Sequence, residues 1–74
     1  MKFKGLDVHL TVNGKDYDDL NDDMTVSELL AYLSLPEKKI AVERNREIVS
    51  KSTFNTTILK SGDTLEIIHF IGGG

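Results

Sequence analysis

Residues 24–33, which read Met-Thr-Val-Ser-Glu-Leu-Leu-Ala-Tyr-Leu, carry the clearest structural signal in this chain of 74 residues. Thr25 followed three residues later by Glu28 is the pattern of a capping box, which predicts the start of a helix. Apolar residues follow at the i, i+3, i+4 and i+7 spacing of one helical face, namely Val26, Leu29, Leu30 and Leu33. Pro36 predicts that the helix ends before it. This single amphipathic helix must bury its apolar face against another element.

A hairpin is predicted before the helix. Apolar and polar residues alternate from residue 6 to residue 12, which is the period of a strand with one buried face. Asn13-Gly14 tolerates the positive φ angles of a tight turn. We therefore expect a returning strand from Lys15 to about Asp19, with Tyr17 as its inward side chain.

Three further strands are predicted after the helix, at residues 40–43, 47–49 and 64–71, with turns at 45–46 and 61–63. Residues 52–57 are expected to be irregular, with Phe54 anchored in the core. The last strand is apolar at five of its eight positions, so it should be central or contact a partner on its second face. One helix covering a mixed sheet of four to five strands predicts an α+β fold in two layers. The expected organisation is one domain, residues 1–71, followed by a flexible glycine tail, residues 72–74.

Composition excludes several functional classes. Nine Lys and Arg against twelve Asp and Glu give a net charge of −3, which is not the charge of a general nucleic-acid binder. No apolar run is long enough to span a membrane, and the start of the chain does not resemble a signal peptide, so we expect a cytoplasmic protein without membrane contact. The chain has no cysteine, which excludes disulfides.

Neither the acidic nor the histidine residues predict a catalytic or metal site. Five aspartates lie within eight residues, at positions 16, 18, 19, 22 and 23. Their spacing does not match a calcium loop, so we interpret them as a solvated loop that leads into the positive end of the helix. His9 and His69 have no cysteine with which to share a nucleophilic role. We expect no metal, no bound cofactor and no enzyme active site on this chain alone.

The remaining candidate is the glycine tail, Gly72-Gly73-Gly74, which directly follows the apolar strand. Three terminal glycines are also compatible with a disordered end or a cloning remnant. Without Cβ atoms, however, they let an extended backbone enter a narrow channel and present a carboxylate to another protein. The pattern suits a carrier whose reactive group is its own C-terminus.

The sequence resembles the bacterial ThiS family, the sulfur carrier proteins of thiazole (thiamine) biosynthesis. The matching segments are LTVNGK at 10–15, TVSELL at 25–30, IAVERNREIV at 40–49, LKSGDTLEI at 59–67 and HFIGGG at 69–74. Residues 1–9 look longer than is usual for the family. The resemblance implies a ubiquitin-like β-grasp fold.

The resemblance also implies a chemistry and a set of partners. A ThiF-type adenylating enzyme would use ATP and Mg to adenylate the Gly74 carboxylate, and sulfur originating from cysteine desulfurase would convert it to a thiocarboxylate. Thiazole synthase (ThiG-type) would accept that sulfur. Gly72 and Gly73 would form the slender lead-in, and Phe70 and Ile71 would dock on the partner.

Three alternatives share these features. The small subunit of molybdopterin synthase has the same fold and a Gly-Gly end, but it typically has apolar and proline-rich residues before the glycines. A ubiquitin-like tag would form isopeptide bonds, although the arginine-rich lead-in is missing here. A β-grasp interaction module would bind through its sheet and never use its terminus.

Overall fold

A computed structural model of the protein describes residues 8–21 and 23–70, apart from the side chain of Asp19. In this part of the chain one five-stranded sheet packs against one α-helix, which confirms the α+β prediction. The strands are β1 (Val8–Val12), β2 (Lys15–Leu20), β3 (Ile40–Arg44), β4 (Glu47–Val49) and β5 (Thr64–His69). The helix is α1 (Val26–Tyr32), and short 3₁₀ helices span Glu37–Lys39 and Lys51–Thr53. Neither α1 nor the 3₁₀ helices are long and apolar enough to cross a membrane.

The sheet is mixed, with the strand order β2-β1-β5-β3-β4. β5 pairs parallel with β1 and antiparallel with β3, and two hairpins complete the sheet on either side. The prediction that the last strand is central is therefore confirmed. Because β5 has a neighbour on both sides, it holds the two hairpins together.

The core lies between α1 and one face of the sheet. Alternate residues of β1 are buried, as the period-two pattern predicted, and the apolar face of α1 is covered completely at Val26, Leu29 and Leu30. Phe54 is 1% exposed and anchors the irregular segment, as expected. The buried apolar side chains are Val8, Leu10, Val12, Leu20, Val26, Leu29, Leu30, Ile40, Val42, Phe54, Leu59 and Leu65.

Both hairpin turns place residues in the left-handed region. Asn13 and Gly14 have φ angles of 51° and 83°, and Asn45 and Arg46 have φ angles of 52° and 73°. Two successive positive φ angles are the signature of a type I′ turn, whose twist matches that of the strands that it joins. The Asn-Gly prediction is confirmed.

The sequence did not predict a β-bulge in the first hairpin. The register shifts between the pairs Val8↔Leu20 and Leu10↔Tyr17, so that β2 has one residue more than β1 over this stretch. Tyr17 and Leu20 are three positions apart and would face opposite sides of a regular strand. With the extra residue, Leu20 is buried in the core and Tyr17 packs half-buried against it.

The helix begins and ends with complete caps. The Glu28 amide donates to the Thr25 hydroxyl over 3.1 Å, and the Thr25 amide donates to the Glu28 carboxylate over 3.0 Å, which confirms the capping box. At the other end, the Leu35 amide donates to the Leu30 carbonyl and the Ser34 amide to the Ala31 carbonyl. This is a Schellman motif, and its left-handed position is occupied by Ser34 at φ 60°.

Replacing Ser34 with glycine should stabilise the protein, because a side chain at a left-handed position is strained and glycine is not. We expect the free energy of unfolding to rise by about 0.5–1 kcal/mol in urea denaturation. Ser34→Ala is the matched control and should not stabilise, since alanine keeps the Cβ. Equal stability of the two variants would contradict this account of the helix end.

Candidate functional site

The end of β5 is where the fold meets the glycine tail. The strand ends at His69, which pairs with Ile40 at the start of β3, whereas the sequence predicted a strand as far as Ile71. The pairing between β3 and β5 ends here, because β3 begins at Ile40. One further hydrogen bond, from the Phe70 amide to the Lys39 carbonyl over 2.8 Å, holds Phe70 beside the preceding 3₁₀ segment. Ile71 and the three terminal glycines lie outside the described residues.

Asn13 supports the other side of β5 at the point where β1 ends. Its side-chain amide donates to the Ile67 carbonyl over 3.2 Å, and its side-chain oxygen accepts from the Ile67 amide over 2.7 Å. The asparagine side chain thus replaces the peptide group that a longer β1 would have supplied. Asn13 both forms the turn and extends the support of β5 toward the tail, and only the first role was visible in the sequence.

The face of the sheet opposite α1 carries an apolar patch next to the tail. Ile48, Ile68 and Phe70 are 69%, 47% and 53% exposed, and Ala41 lies directly opposite Ile68 on β3. We call these four residues the open-face patch. Large apolar side chains grouped on one surface typically mark an interaction site. Phe70 was predicted as a docking residue, whereas Ile48 and Ile68 were not.

Two glutamates border the open-face patch. Glu43 on β3 lies directly opposite Glu66 on β5, and Ile48 lies opposite Glu43 on the other side. Directly opposed residues have Cβ atoms about 4.5–5.5 Å apart. Neither glutamate forms an ion pair with another of the residues described by the structure. Like charges directly opposite each other are destabilising in a sheet, so we expect this pair to weaken the sheet locally.

A buried polar cluster fixes the start of β5. Asp63 is only 7% exposed and accepts hydrogen bonds from the Lys60 amide, the Arg44 guanidinium and the Asn45 side chain over 2.8–3.0 Å. Asn45 in turn exchanges hydrogen bonds with the backbone of Thr64, the first residue of β5. The cluster therefore joins the β3–β4 turn to β5.

The same cluster controls the ionisation of Asp63. Burial alone would raise the pKa of this carboxyl, but the hydrogen bonds from Lys60, Asn45 and Arg44, together with the Arg44 charge, outweigh burial and hold the pKa below its usual value. The folded state thus favours the carboxylate. The resulting stability is present above the unfolded pKa, about 3.9, and is lost as the pH falls through the folded pKa.

His9 forms an ion pair at the opposite end of the open face. Its Nδ1 lies 2.6 Å from Asp18, and its Nε2 lies 3.7 Å from Asp16. The hydrogen bond to Asp18 raises the pKa of His9, and the charges of Asp18 and Asp16 add to this effect. Any stabilisation is present below the unfolded pKa, about 6.5, and is lost as the pH rises through the folded pKa. His69, by contrast, is exposed.

Only part of the acidic segment, residues 16–23, lies in a loop. Asp16 and Asp18 belong to strand β2 and face His9, because the strand continues to Leu20. Asp23 is exposed in the turn before α1, while Asp22 and the side chain of Asp19 lie outside the described part. Among the described residues, no group of three His, Asp or Glu side chains is placed to hold a metal ion.

Comparison with known proteins identifies the family. The family model described as "ThiS family" matches residues 7–74, nearly the whole chain. The chain belongs to the ThiS family. The "Sulfur carrier protein ThiS" of Bacillus subtilis (strain 168) is 43% identical over 65 residues, which cover 88% of this chain and 98% of that protein.

Structural comparison agrees with the ThiS assignment. A crystal structure of the thiamine biosynthesis protein (ThiS) from Geobacter metallireducens matches with a TM-score of 0.77 and 38% identity, covering 90% of this chain and all of that one. The UBL domain of yeast Ddi1 matches with a TM-score of 0.57 at 20% identity, which shows the fold alone. The expected ubiquitin-like β-grasp fold is confirmed.

Part of a larger protein is also similar to this ThiS-family chain. The "Thiazole synthase" of Paramagnetospirillum magneticum (strain ATCC 700264 / AMB-1) is 46% identical over 65 residues, and the chain spans 20% of that protein. The thiazole synthase of Magnetococcus marinus matches at 44% identity over 50 residues, 15% of its length. A ThiS-like segment therefore occurs within thiazole synthases.

Asp63→Asn should destabilise the protein by about 2 kcal/mol at neutral pH, the usual cost of losing hydrogen bonds to a charged group. The asparagine NH₂ group cannot accept a hydrogen bond, so the variant loses either the bonds from Arg44 and Lys60 or the bond from Asn45. Urea denaturation between pH 7 and pH 3 should show that the wild-type advantage declines as the pH falls through the Asp63 pKa.

Asp23→Asn removes an exposed aspartate and is the matched control. It should change the free energy of unfolding by less than about 0.5 kcal/mol. A difference between wild type and Asp63→Asn that stays constant down to pH 3 would contradict a role for the Asp63 charge.

Proposed function

We propose that this chain is a sulfur carrier protein of thiamine biosynthesis, whose Gly74 carboxylate is adenylated, converted to a thiocarboxylate and used by thiazole synthase. The observation that carries the proposal is the ThiS family match, which extends through residue 74 and therefore includes the glycine end. The chain acts as a co-substrate of its partner enzymes and is not itself an enzyme.

The partners follow from the proposed chemistry. A thiazole synthase partner is supported by the ThiS-like segments within the two thiazole synthases, because linking a carrier to its acceptor raises their effective concentration. A ThiF-type adenylating enzyme uses ATP and Mg, and a cysteine desulfurase provides the sulfur. We place these steps in the cytoplasm.

The activation step explains why the chain needs no catalytic side chain. A carboxylate oxygen of Gly74 attacks the α-phosphorus of ATP and pyrophosphate leaves, which produces an acyl adenylate. A persulfide on the partner side then attacks the acyl carbon and displaces AMP, which gives an acyl disulfide. A second partner thiol attacks the partner sulfur of that disulfide, so the S–S bond breaks, the thiocarboxylate stays on Gly74 and the two partner sulfurs are left as a disulfide. We expect the adenylating enzyme to stabilise the charge that develops in the adenylation and in the displacement of AMP. The carrier then contributes only its terminal carboxylate.

The fold presents the tail from a rigid base. Phe70 is held by its hydrogen bond to Lys39, and Asn13 supports Ile67 three residues earlier. Four residues remain after Phe70, and an extended chain spans at most about 14 Å over four residues. Gly72 and Gly73 would pass through a narrow channel, while Phe70 and Ile71 would dock at its mouth.

The ThiS family match favours this function over that of the small subunit of molybdopterin synthase. The open-face patch also suits the interaction-module alternative, since apolar surfaces bind partners whether or not a terminus reacts. The two are separated by the chemistry of Gly74, which only the carrier requires.

Incubation with the adenylating enzyme, ATP, Mg and a sulfur source should increase the intact mass by about 16 Da, the difference between sulfur and oxygen. Intact-protein mass spectrometry measures this shift, and omission of ATP is the control. An unchanged mass in the presence of an adenylating enzyme that is active on another carrier would reject the proposal.

Deleting Gly74, or adding one residue after it, should abolish the mass shift, because the reactive carboxylate would be displaced by about 3.5 Å from its place in the partner site. Circular dichroism should show that both variants remain folded, since the change lies beyond β5. Normal loading of either variant would argue against a mechanism at the terminal carboxylate.

A further inference from the structure

The short tail restricts where a partner can sit. If Gly74 is to react, the partner's reacting atoms must come within about 14 Å of Phe70, because Gly74 is the fourth residue after Phe70. A partner that encloses the carboxylate must therefore contact the surface around Phe70. The open-face patch provides an apolar surface at this end of the sheet, because Ile68 lies on β5 two residues before Phe70 and both are exposed.

Two acidic side chains lie next to the open-face patch. The next row of the sheet holds Ile48, Glu43 and Glu66 side by side on β4, β3 and β5. Arg46 shares the shallow depression that Glu43 and Glu66 line, but it forms no ion pair with either of them in the described part of the chain. The two carboxylates thus lie beside an exposed apolar surface and form no ion pair with a cation of the described residues.

We propose that Glu43 and Glu66 together receive an arginine or lysine side chain of the adenylating enzyme, whose apolar surface covers the open-face patch. The inference rests on the proposed function and identifies the chemistry of the partner surface. Glutamates whose Cβ atoms lie about 5 Å apart can both direct their carboxylates to one guanidinium group, which offers five N–H donors. The apolar residues alongside exclude water and strengthen the ion pair.

The opposition of Glu43 and Glu66 should destabilise the free carrier, which distinguishes the pair from ordinary surface charges. Two opposed carboxylates repel each other in the free carrier, and the partner's cation relieves this repulsion when it binds. Neutralising one glutamate should consequently stabilise the free carrier and weaken its complex. A merely structural role would change both properties in the same direction.

The test compares Glu43→Gln, Glu66→Gln and the double variant with wild type. Calorimetric titration of the adenylating enzyme should show about 3–10-fold weaker binding for each single variant at about 0.05 M salt. The difference should shrink at about 0.5 M salt, where charges are screened. The melting temperature of each free single variant should rise by about 1–4 °C.

Glu47→Gln is the matched control, since Glu47 is exposed on β4 but lies on the face opposite to Ile48. It should bind like wild type. Wild-type affinity of both single variants would overturn the inference while leaving the carrier function intact. A lower melting temperature would also overturn it, because it would show that Arg46 already pairs with these carboxylates.

Failure of the proposed function gives a different result. In that case the wild-type protein would neither bind the adenylating enzyme nor change in mass, and the inference would fail with it.

Discussion

The position of β5 between β1 and β3 is the constraint on which the rest of the structure depends. The two hairpins are local, since each pairs strands joined by a two-residue turn. In the sheet formed by the described residues, β5 links them by parallel pairing on one side and antiparallel pairing on the other. Its core residue Leu65 is fully buried beneath α1. The same strand that completes the core therefore ends at the tail.

Polar contacts at both ends keep β5 in register. Asp63 and Asn45 attach its first residue to the β3–β4 turn, and the Asn13 side chain supports Ile67 where β1 has ended. A buried polar group such as Asp63 is stabilising only when its hydrogen-bond partners are present. The described part of the chain contains no buried side-chain N or O atom without a hydrogen-bond partner. Glycines have no side chains that could pack on the domain, so the position from which the tail starts is set by the strand before it.

The sequence was sufficient for features set by local chemistry. The capping box at Thr25, the Asn13-Gly14 turn and the alternation along β1 each depend on neighbours within a few residues, and all three predictions are correct. The apolar composition of the last strand predicted that it is central or contacts a partner on its second face, and the strand is central. Local patterns therefore predicted the elements and their order.

Features that depend on contacts between distant segments could not be predicted in this way. The Asn13–Ile67 pairing spans 54 residues, and the Asp63 cluster joins segments 18 and 19 residues apart. The opposition of Glu43 and Glu66 depends on the register between β3 and β5, which the sequence does not specify. The exposure of Ile48 could have been detected in the sequence. Ile48 and Val49 are adjacent apolar residues on one strand, so they face opposite sides of the sheet, and one of them must face away from the core.

A single-turnover transfer experiment tests the central claim, that the chain carries sulfur on its own terminus, most directly. The purified carrier would be loaded with isotopically labelled sulfur, freed of donor and mixed with thiazole synthase and its other substrates. The account predicts that the label leaves Gly74 and appears in the thiazole in equal amount, even when unlabelled sulfide is in excess. Thiazole that contains only unlabelled sulfur, with the label still on the protein, would contradict it.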